Sequence, residues 1–472
     1  MTSLSETHED QRSLARDSVG TTLTNGALFL LGIILLVLIA RLLGPTWRGA
    51  LVMIMLAPTL VMRLGPLGYD QGMVVIGGAD RKLLGPLTRT GVIYGFILGL
   101  VFIGLLMGFM WGWPKTFWRI SQIWLPSQFA LISIVFPVHL MTMAFDSAIY
   151  AEDRISARNM KELIINLVML AIILAAVMIW NLKLFGVVGA YVIANLISMV
   201  YAWILVRGRV DLNGGVDLPL AKRTVKLGFP IYLSQLASYI TLPVILVILS
   251  WALGGKPGVN LARIAFFSMG YQMVERILPV TRSVAFALFP KITKSTHKDA
   301  RELAAKASRH TFIASFMLFG VLVIFLHPII RILLGEVWLP VVWPFAIMAP
   351  GGIALSVAGV WSTHLLARKK PYKVAWAGIT GFITALIIAA LGFKILPRGT
   401  EIIVAAFAVV MGSFVNASLL LPAFCSASGL KPSEVLIPRM SDLKEWRRIP
   451  GIIREYSDRK FGIKRSTGEH DR

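Results

Sequence analysis

Apolar stretches of about 20 residues recur along the whole chain, separated by short polar segments, and each is long enough to cross about 30 Å of hydrocarbon. Twelve such spans lie near 19–40, 50–77, 90–112, 127–150, 162–180, 186–206, 228–252, 262–289, 311–334, 341–366, 374–393 and 401–425. Lipid offers backbone groups no hydrogen-bond partner, so every span is expected to be a helix. The predicted class is an all-α polytopic membrane protein, with about twelve helices in two pseudo-symmetric six-helix bundles around a central cavity. An even count places both termini on one side.

Charge decides which side. With loops assigned alternately, about 34 Lys/Arg fall on one face (81–89, 154–161, 207–226, 291–309, 368–373 and 431–472), about 9 on the other and about 4 inside spans. The rich face is expected to be cytoplasmic, which makes this a multi-pass protein of the cytoplasmic (inner) membrane with both termini inside. Composition agrees: of 472 residues 56% are hydrophobic and only 15% charged, and mean hydropathy is +0.74. The net charge of +23 therefore reads as orientation and lipid contact rather than nucleic-acid binding. The single Cys425 excludes an internal disulfide.

The expected organisation is a cytoplasmic lead over 1–18, a six-helix bundle over 19–206, a cytoplasmic linker over 207–227, a second bundle over 228–427 and a basic tail over 428–472. Two signals support halves. Ala151-Glu-Asp-Arg154 and Ala367-Arg-Lys-Lys370 each precede two closely spaced spans, about 210 residues apart, and parallel six-span halves are a known transporter layout. In the tail, Trp446, Ile449, Ile452, Ile453 and Tyr456 alternate with Arg447, Arg448 and Arg454, a pattern of either a surface-lying helix or a solvated basic tail.

Intramembrane charge costs about 2.5–3.5 kcal/mol per residue on insertion scales, so the few charged positions carry information. Arg63 lies midway along the second span; on a continuous helix Thr59, Pro66 and Asp70 fall within about 60° of it. The eighth span carries Ser268, Gln272, Glu275, Arg276, Pro279, Arg282 and Ser283 on an arc of about 120°. One reading makes these residues internal ion pairs or helix–helix glue. The other makes them a cationic cavity for an anionic headgroup, because a guanidinium binds phosphate bidentately and stays charged. Asn25 in the first span and Gln235 in the seventh, with neighbouring hydroxyls, serve either interhelical bonding or sugar contact. His139 and Asp146 share a face of the fourth span, where proton coupling would be read. No metal-ligand spacing, nucleotide loop or nucleophile elbow occurs, so no cofactor and no catalytic residue are expected beyond coupling of transport to H+ or Na+.

Several short pieces then stand in order: Ala40-Arg-Leu-Leu-Gly-Pro45 followed by Gly49, Leu227-Gly-Phe-Pro230, Ala287-Leu-Phe-Pro-Lys291, and His327-Pro328 through Leu334-Gly335-Glu336 to Leu366-Ala367. Together they resemble the multidrug/oligosaccharidyl-lipid/polysaccharide (MOP) exporter superfamily, and within it the Wzx-type polysaccharide flippases. That resemblance implies two lobes around a V-shaped cavity and an undecaprenyl-pyrophosphate-linked oligosaccharide as cargo, flipped from the inner to the outer leaflet. It also implies membrane lipids, a polymerase and glycosyltransferases as partners. The cavity arginines of such flippases carry over onto Arg63 and Arg276. Trp47-Arg48 departs from the family pattern and is expected at the outer surface. Three rivals stand beside this reading: a cation-coupled multidrug exporter of the same fold, a membrane-embedded polysaccharide polymerase or ligase, and a scaffold.

Overall fold

The structure is a computed structural model. It describes residues 2–213, 215–254, 256–294, 297–439 and Asp442, with the side chains of these except 2–23, 25 and 282–300. The helices in order are α1 (Thr2–Leu64), α2 (Tyr69–Ala79), α3 (Leu84–Gly112), α4 (Pro114–Ser121), α5 (Pro126–Ser133), α6 (Val135–Ala151), α7 (Ile155–Leu174), α8 (Lys183–Val206), α9 (Leu218–Ala252), α10 (Pro257–Lys294), α11 (His297–Leu333), α12 (Val342–Ala367), α13 (Pro371–Ile395), α14 (Glu401–Ser428) and α15 (Pro432–Leu436). Among the described residues ten helical stretches are long and apolar enough to cross a membrane. The first of these, Gly26–Leu64, is divided at Gly44, and α10 adds another, so the chain spans about twelve times, as its hydropathy predicts.

Local chemistry sets the boundaries. Proline occupies the first turn of α4, α5, α9 and α13, where its missing N–H costs nothing. The Asp217 carboxylate caps α9 by accepting from Leu220 N at 2.8 Å. Gly44 (φ 68°, ψ 173°) and Gly335 (φ 94°, ψ 169°) turn the chain through a backbone region that is essentially glycine-only. Residues 2–18 of the expected lead are helical and run on into the first span within α1.

Helices α1–α8 form one lobe and α9–α14 the other. The two repeated tetrapeptides prove to be the same corner. After α6, Asp153 is left-handed (φ 61°) and Arg154 N donates to Ile149 O at 3.0 Å; after α12, Lys369 is left-handed (φ 56°) and Lys370 N donates to Leu365 O at 2.9 Å. These are Schellman-type closures, and each launches the next helix at once.

Polar ties distinguish the two ends of the bundle. At one, Arg89 Nε donates to Gly215 O (3.3 Å), Arg154 Nη1 to Leu205 O (2.9 Å), and Arg309 grips Asp442; this basic end gathers the Lys/Arg-rich loops. At the far end the lobes are fastened to each other. Arg41 donates to Leu333 O and Ile332 O at 2.5 and 2.6 Å, and Gln122 Nε2 to Ser250 O at 3.1 Å. There Gly49 lies so close to Leu261 that a Cβ would fall 1.9 Å from its carbonyl oxygen. The expected surface helix over 441–456 lies outside the described residues apart from Asp442.

Candidate functional site

The second span is not one helix. The first stretch ends at Leu64, the chain turns through 65–68 with Leu67 (φ 49°) and Gly68 (φ 86°) left-handed, and α2 restarts at Tyr69. The helical-wheel grouping of Thr59, Arg63, Pro66 and Asp70 therefore fails, because the wheel assumes a continuous screw. The break explains the charges better. Arg63 stands in the last turn of one helix and Asp70 in the first turn of the next. Each thus meets the helix-dipole end of opposite sign, a favourable term of about 0.3–1 kcal/mol each. Tyr94 Oη donates to the freed Gly65 carbonyl at 2.9 Å, so that turn is not left unsatisfied within the membrane.

Arg63 reaches across to the second lobe. Its Cζ lies 4.2 Å from the ring centre of Tyr239 on α9, whose hydroxyl donates to Gln235 Oε1. This cation–π contact engages the guanidinium's face, and no carboxylate among the described residues lies within ion-pair distance of it. Two connected spaces open from it. One, about 220 Å³, is lined by Arg63, Ser238, Tyr239, Thr241, Glu275 and Asn416 among others. The other, about 90 Å³, lies between Arg63, Asp70, Gln71, Tyr232, Gln235 and Tyr239. Asn416 Oδ1 and Asp70 Oδ1 are buried without a partner, and Asp70 Oδ2 accepts from Gln71 Nε2 at 3.2 Å. Among the described residues the centre thus holds one guanidinium without an ion pair, two carboxylates and a set of amides and hydroxyls.

The structure brings together Arg63, Asp70, Gln235 and Glu275, and separates others. Glu275, not Arg276, faces the larger space; it sits in the field of both Arg63 and Arg276. Adjacent residues on a helix point about 100° apart, and here the Arg276 guanidinium abuts Gly32 of α1 through Nη1, 2.0 Å from where a Cβ would fall. Of Arg63 and Arg276, only Arg63 lines these spaces. Gln272 is occupied: its Oε1 accepts from Arg48 Nη2 at 3.1 Å. Arg48 was expected at the outer surface but is half-buried between the lobes, with Trp47 beside it exposed. The side chains of Asn25 and Arg282 lie outside the described residues.

Asp146 does not stand free beside His139. Lys161 Nζ lies 2.5 Å from Asp146 Oδ1, and Arg158 Nε 4.0 Å from Oδ2. Lys161 is completely buried on α7, although its segment reads as a basic loop. Its position seven residues into a helix that Ile155 begins is the only sequence signal of this role.

Comparison with known proteins follows this geometry. The chain has the fold of MOP-superfamily transporters. It is similar to the lipid II flippase MurJ in an inward closed conformation (TM-score 0.66, 13% identity, 85% of this chain and 87% of that one). It is likewise similar to a multidrug resistance MATE family transporter in an inward-facing conformation (0.62, 14%, 87% and 94%) and to a MOP superfamily transporter from Pyrococcus furiosus whose binding pocket is described as reversed in polarity (0.57, 13%, 87% and 93%). No curated protein sequence matches the chain significantly. The family described as "Polysaccharide biosynthesis protein" matches residues 14–296, and the chain belongs to it.

Proposed function

We propose that this protein is a flippase for polyprenyl-diphosphate-linked oligosaccharides, carrying them from the cytoplasmic to the outer leaflet of the inner membrane for surface polysaccharide assembly. Family membership supports the pathway. The observation that carries the chemistry is the Arg63 guanidinium between the lobes, exposed to the cavity and without an ion pair among the described residues. It supplies two parallel N–H donors to a diphosphate, a charge-assisted bidentate contact stronger than neutral hydrogen bonds. Ser238, Thr241, Gln235 and Asn416 then meet sugar hydroxyls, while the polyprenyl chain remains in lipid. The fastened far end leaves loading to the basic, cytoplasmic end, and rocking of the lobes releases cargo outside. Enzymes that build and polymerise the glycan would act on either side of this step. Coupling to H+ or Na+ falls to His139 and Asp146, with Asp146 the less available because Lys161 holds it; unchanged transport across a pH gradient in a His139→Ala, Asp146→Asn double variant removes that role.

A bidentate guanidinium–diphosphate contact contributes about 3 kcal/mol, so Arg63→Ala should weaken binding of a polyprenyl diphosphate more than 100-fold. Glycan export should fall with it while membrane protein level stays constant, and Arg63→Lys should restore part of both. Full export by an Arg63→Ala, Arg276→Ala double variant rejects the site. Asp70 and Glu275 in the cavity favour a second reading, a cation-coupled small-molecule exporter of the same fold. Under that reading Glu275→Gln abolishes transport of cationic compounds and Arg63→Ala does not.

A further inference from the structure

The far end carries a second constellation, at the seam of the two lobes and away from the central cavity. Lys and Arg are scarce at this end, about 9 by loop assignment, because the charge bias of the chain places them at the other. Three of the few gather around two adjoining pockets. A groove of about 470 Å³ runs along the ends of α9 and α13; Val247, Ile248 and Phe393 line it, with Arg119 and Lys394 among its polar residues. A bowl of about 610 Å³ adjoins it, lined by Lys115, Trp118, Arg119, Trp124 and Asn260 among others. Arg119 belongs to both and stacks 4.5 Å from the ring centre of Trp251.

None of Lys115, Arg119 and Lys394 is paired with a carboxylate among the described residues. The bowl also contains an acceptor without a donor. Asn260 is 2% exposed; its Nδ2 donates to Gln122 Oε1 at 3.0 Å, and Gln122 Nε2 is spent on Ser250 O and Arg119 O at 3.1 and 2.6 Å. Asn260 Oδ1 is left unpartnered. A buried carbonyl oxygen in that state lacks a bond whose loss costs about 1–3 kcal/mol, and only a donor satisfies it.

An apolar groove, a cationic joint and a hydroxyl-seeking acceptor in sequence describe an amphiphile. We propose that this site holds one acidic phospholipid with a hydroxylated headgroup, of the phosphatidylglycerol class. Its acyl chain lies along α9 and α13, its phosphate at Arg119 with Lys394 and Lys115 on either side, and a headgroup hydroxyl donates to Asn260 Oδ1. The groove shares no lining residue with the two central spaces, which favours a resident lipid over the transported one. Because Arg119 comes from the first lobe and Trp251 and Lys394 from the second, the bound lipid bridges the lobes where they are closed.

The test uses the full chain in phosphatidylcholine nanodiscs, with retained lipids counted by native mass spectrometry as phosphatidylglycerol or phosphatidylethanol is added. Phosphatidylethanol carries the same single charge without the hydroxyls. One phosphatidylglycerol should be retained in preference to phosphatidylcholine. Retention should weaken about tenfold or more in Arg119→Ala, Lys394→Ala, as loss of charge-assisted contacts requires. Phosphatidylethanol should bind several-fold more weakly than phosphatidylglycerol to the native protein, and Asn260→Ala should erase that difference. Lys256→Ala, a cation at the same end lining neither pocket, should change nothing. Equal retention of phosphatidylcholine, undiminished binding in the double variant, or an equal loss in Lys256→Ala overturns the proposal. Displacement of the bound lipid by a polyprenyl diphosphate glycan at stoichiometric amounts overturns it as well, since the site would then belong to the cargo. Thermal unfolding of each variant separates lost binding from lost fold.

Discussion

Gly49 offers the sharpest handle on the closure of the far end. A methyl group there would place its carbon 1.9 Å from Leu261 O and 2.5 Å from Leu261 C. Carbon–oxygen approaches of this kind settle at about 3.3 Å or more, so the two backbones must part by about 1.4 Å. Neither contact atom is the end of a flexible side chain that could swing away. Overpacking of this size costs about 1–3 kcal/mol, and only the arrangement with α1 and α10 pressed together bears it. At about 2 kcal/mol, Gly49→Ala shifts the balance between closed and open far ends about 30-fold toward open. The assay is oxidative cross-linking of Thr46→Cys with Gly258→Cys in a Cys425→Ser background. Thr46 Oγ1 lies 3.4 Å from Gly258 O, and a Cβ at Gly258 would sit 3.8 Å from Thr46 Cγ2. Cross-linking should be efficient in the parent and should collapse with Gly49→Ala. Gly104→Ala, where a Cβ meets nothing within 4 Å, should leave it unchanged. Undiminished cross-linking with Gly49→Ala refutes the claim that this contact belongs to one conformational state. A drop in thermal stability with no change in cross-linking does so equally.

Two other contacts yield direct expectations. Lys161 is buried and bonded to Asp146, so Lys161→Ala strands a carboxylate and should destabilise the protein by about 3–5 kcal/mol, whereas Lys161→Met with Asp146→Leu should recover much of that loss in thermal unfolding. In the tail, Arg309 Nε and Nη2 donate to Asp442 at 2.6 and 3.2 Å, and Nη1 to Glu434 O at 2.7 Å, so Arg309→Ala should expose the segment after α15 to limited proteolysis. Burial pushes the Asp442 carboxyl up, but the bonds from Arg309 and from Arg439 N more than offset this and hold it below the usual range. A depressed carboxylate stabilises the folded form above its unfolded pKa of about 3.9 and loses that contribution as pH falls through the lower folded value. The tail should therefore remain protected at neutral pH and become cleavable only below about pH 4.

Much of the architecture is legible in the order of residues, and the reason is the solvent. Hydrocarbon enforces helices of fixed length, so spans near 90–112 and 374–393 coincide with α3 and α13 to within two turns. The paired corners at Ala151 and Ala367 are legible because a left-handed residue followed at once by a new helix leaves a local signature. Rotation about a helix axis is not local. Whether Glu275 or Arg276 enters the cavity depends on the bare backbone at Gly32, more than 240 positions away. Gly65, Gly68 and Gly72 mark the second span as a loosened helix, but glycines abound in packed membrane helices, so the residues alone do not distinguish loosening from the full break seen after Leu64. Lys161 was misplaced for a related reason: a lysine near a basic turn reads as solvated unless the carboxylate fifteen positions earlier is known to lie beside it.

The severed second span has one more consequence. Its upper piece abuts the opposite lobe through Gly49 and Leu261; its lower piece does so through Gly68 and Gly72, where a Cβ on either would strike the main chain of Gly228 or Thr224. A single crossing therefore packs its bare backbone against the opposite lobe on both sides of its joint, with Arg63 at the knuckle.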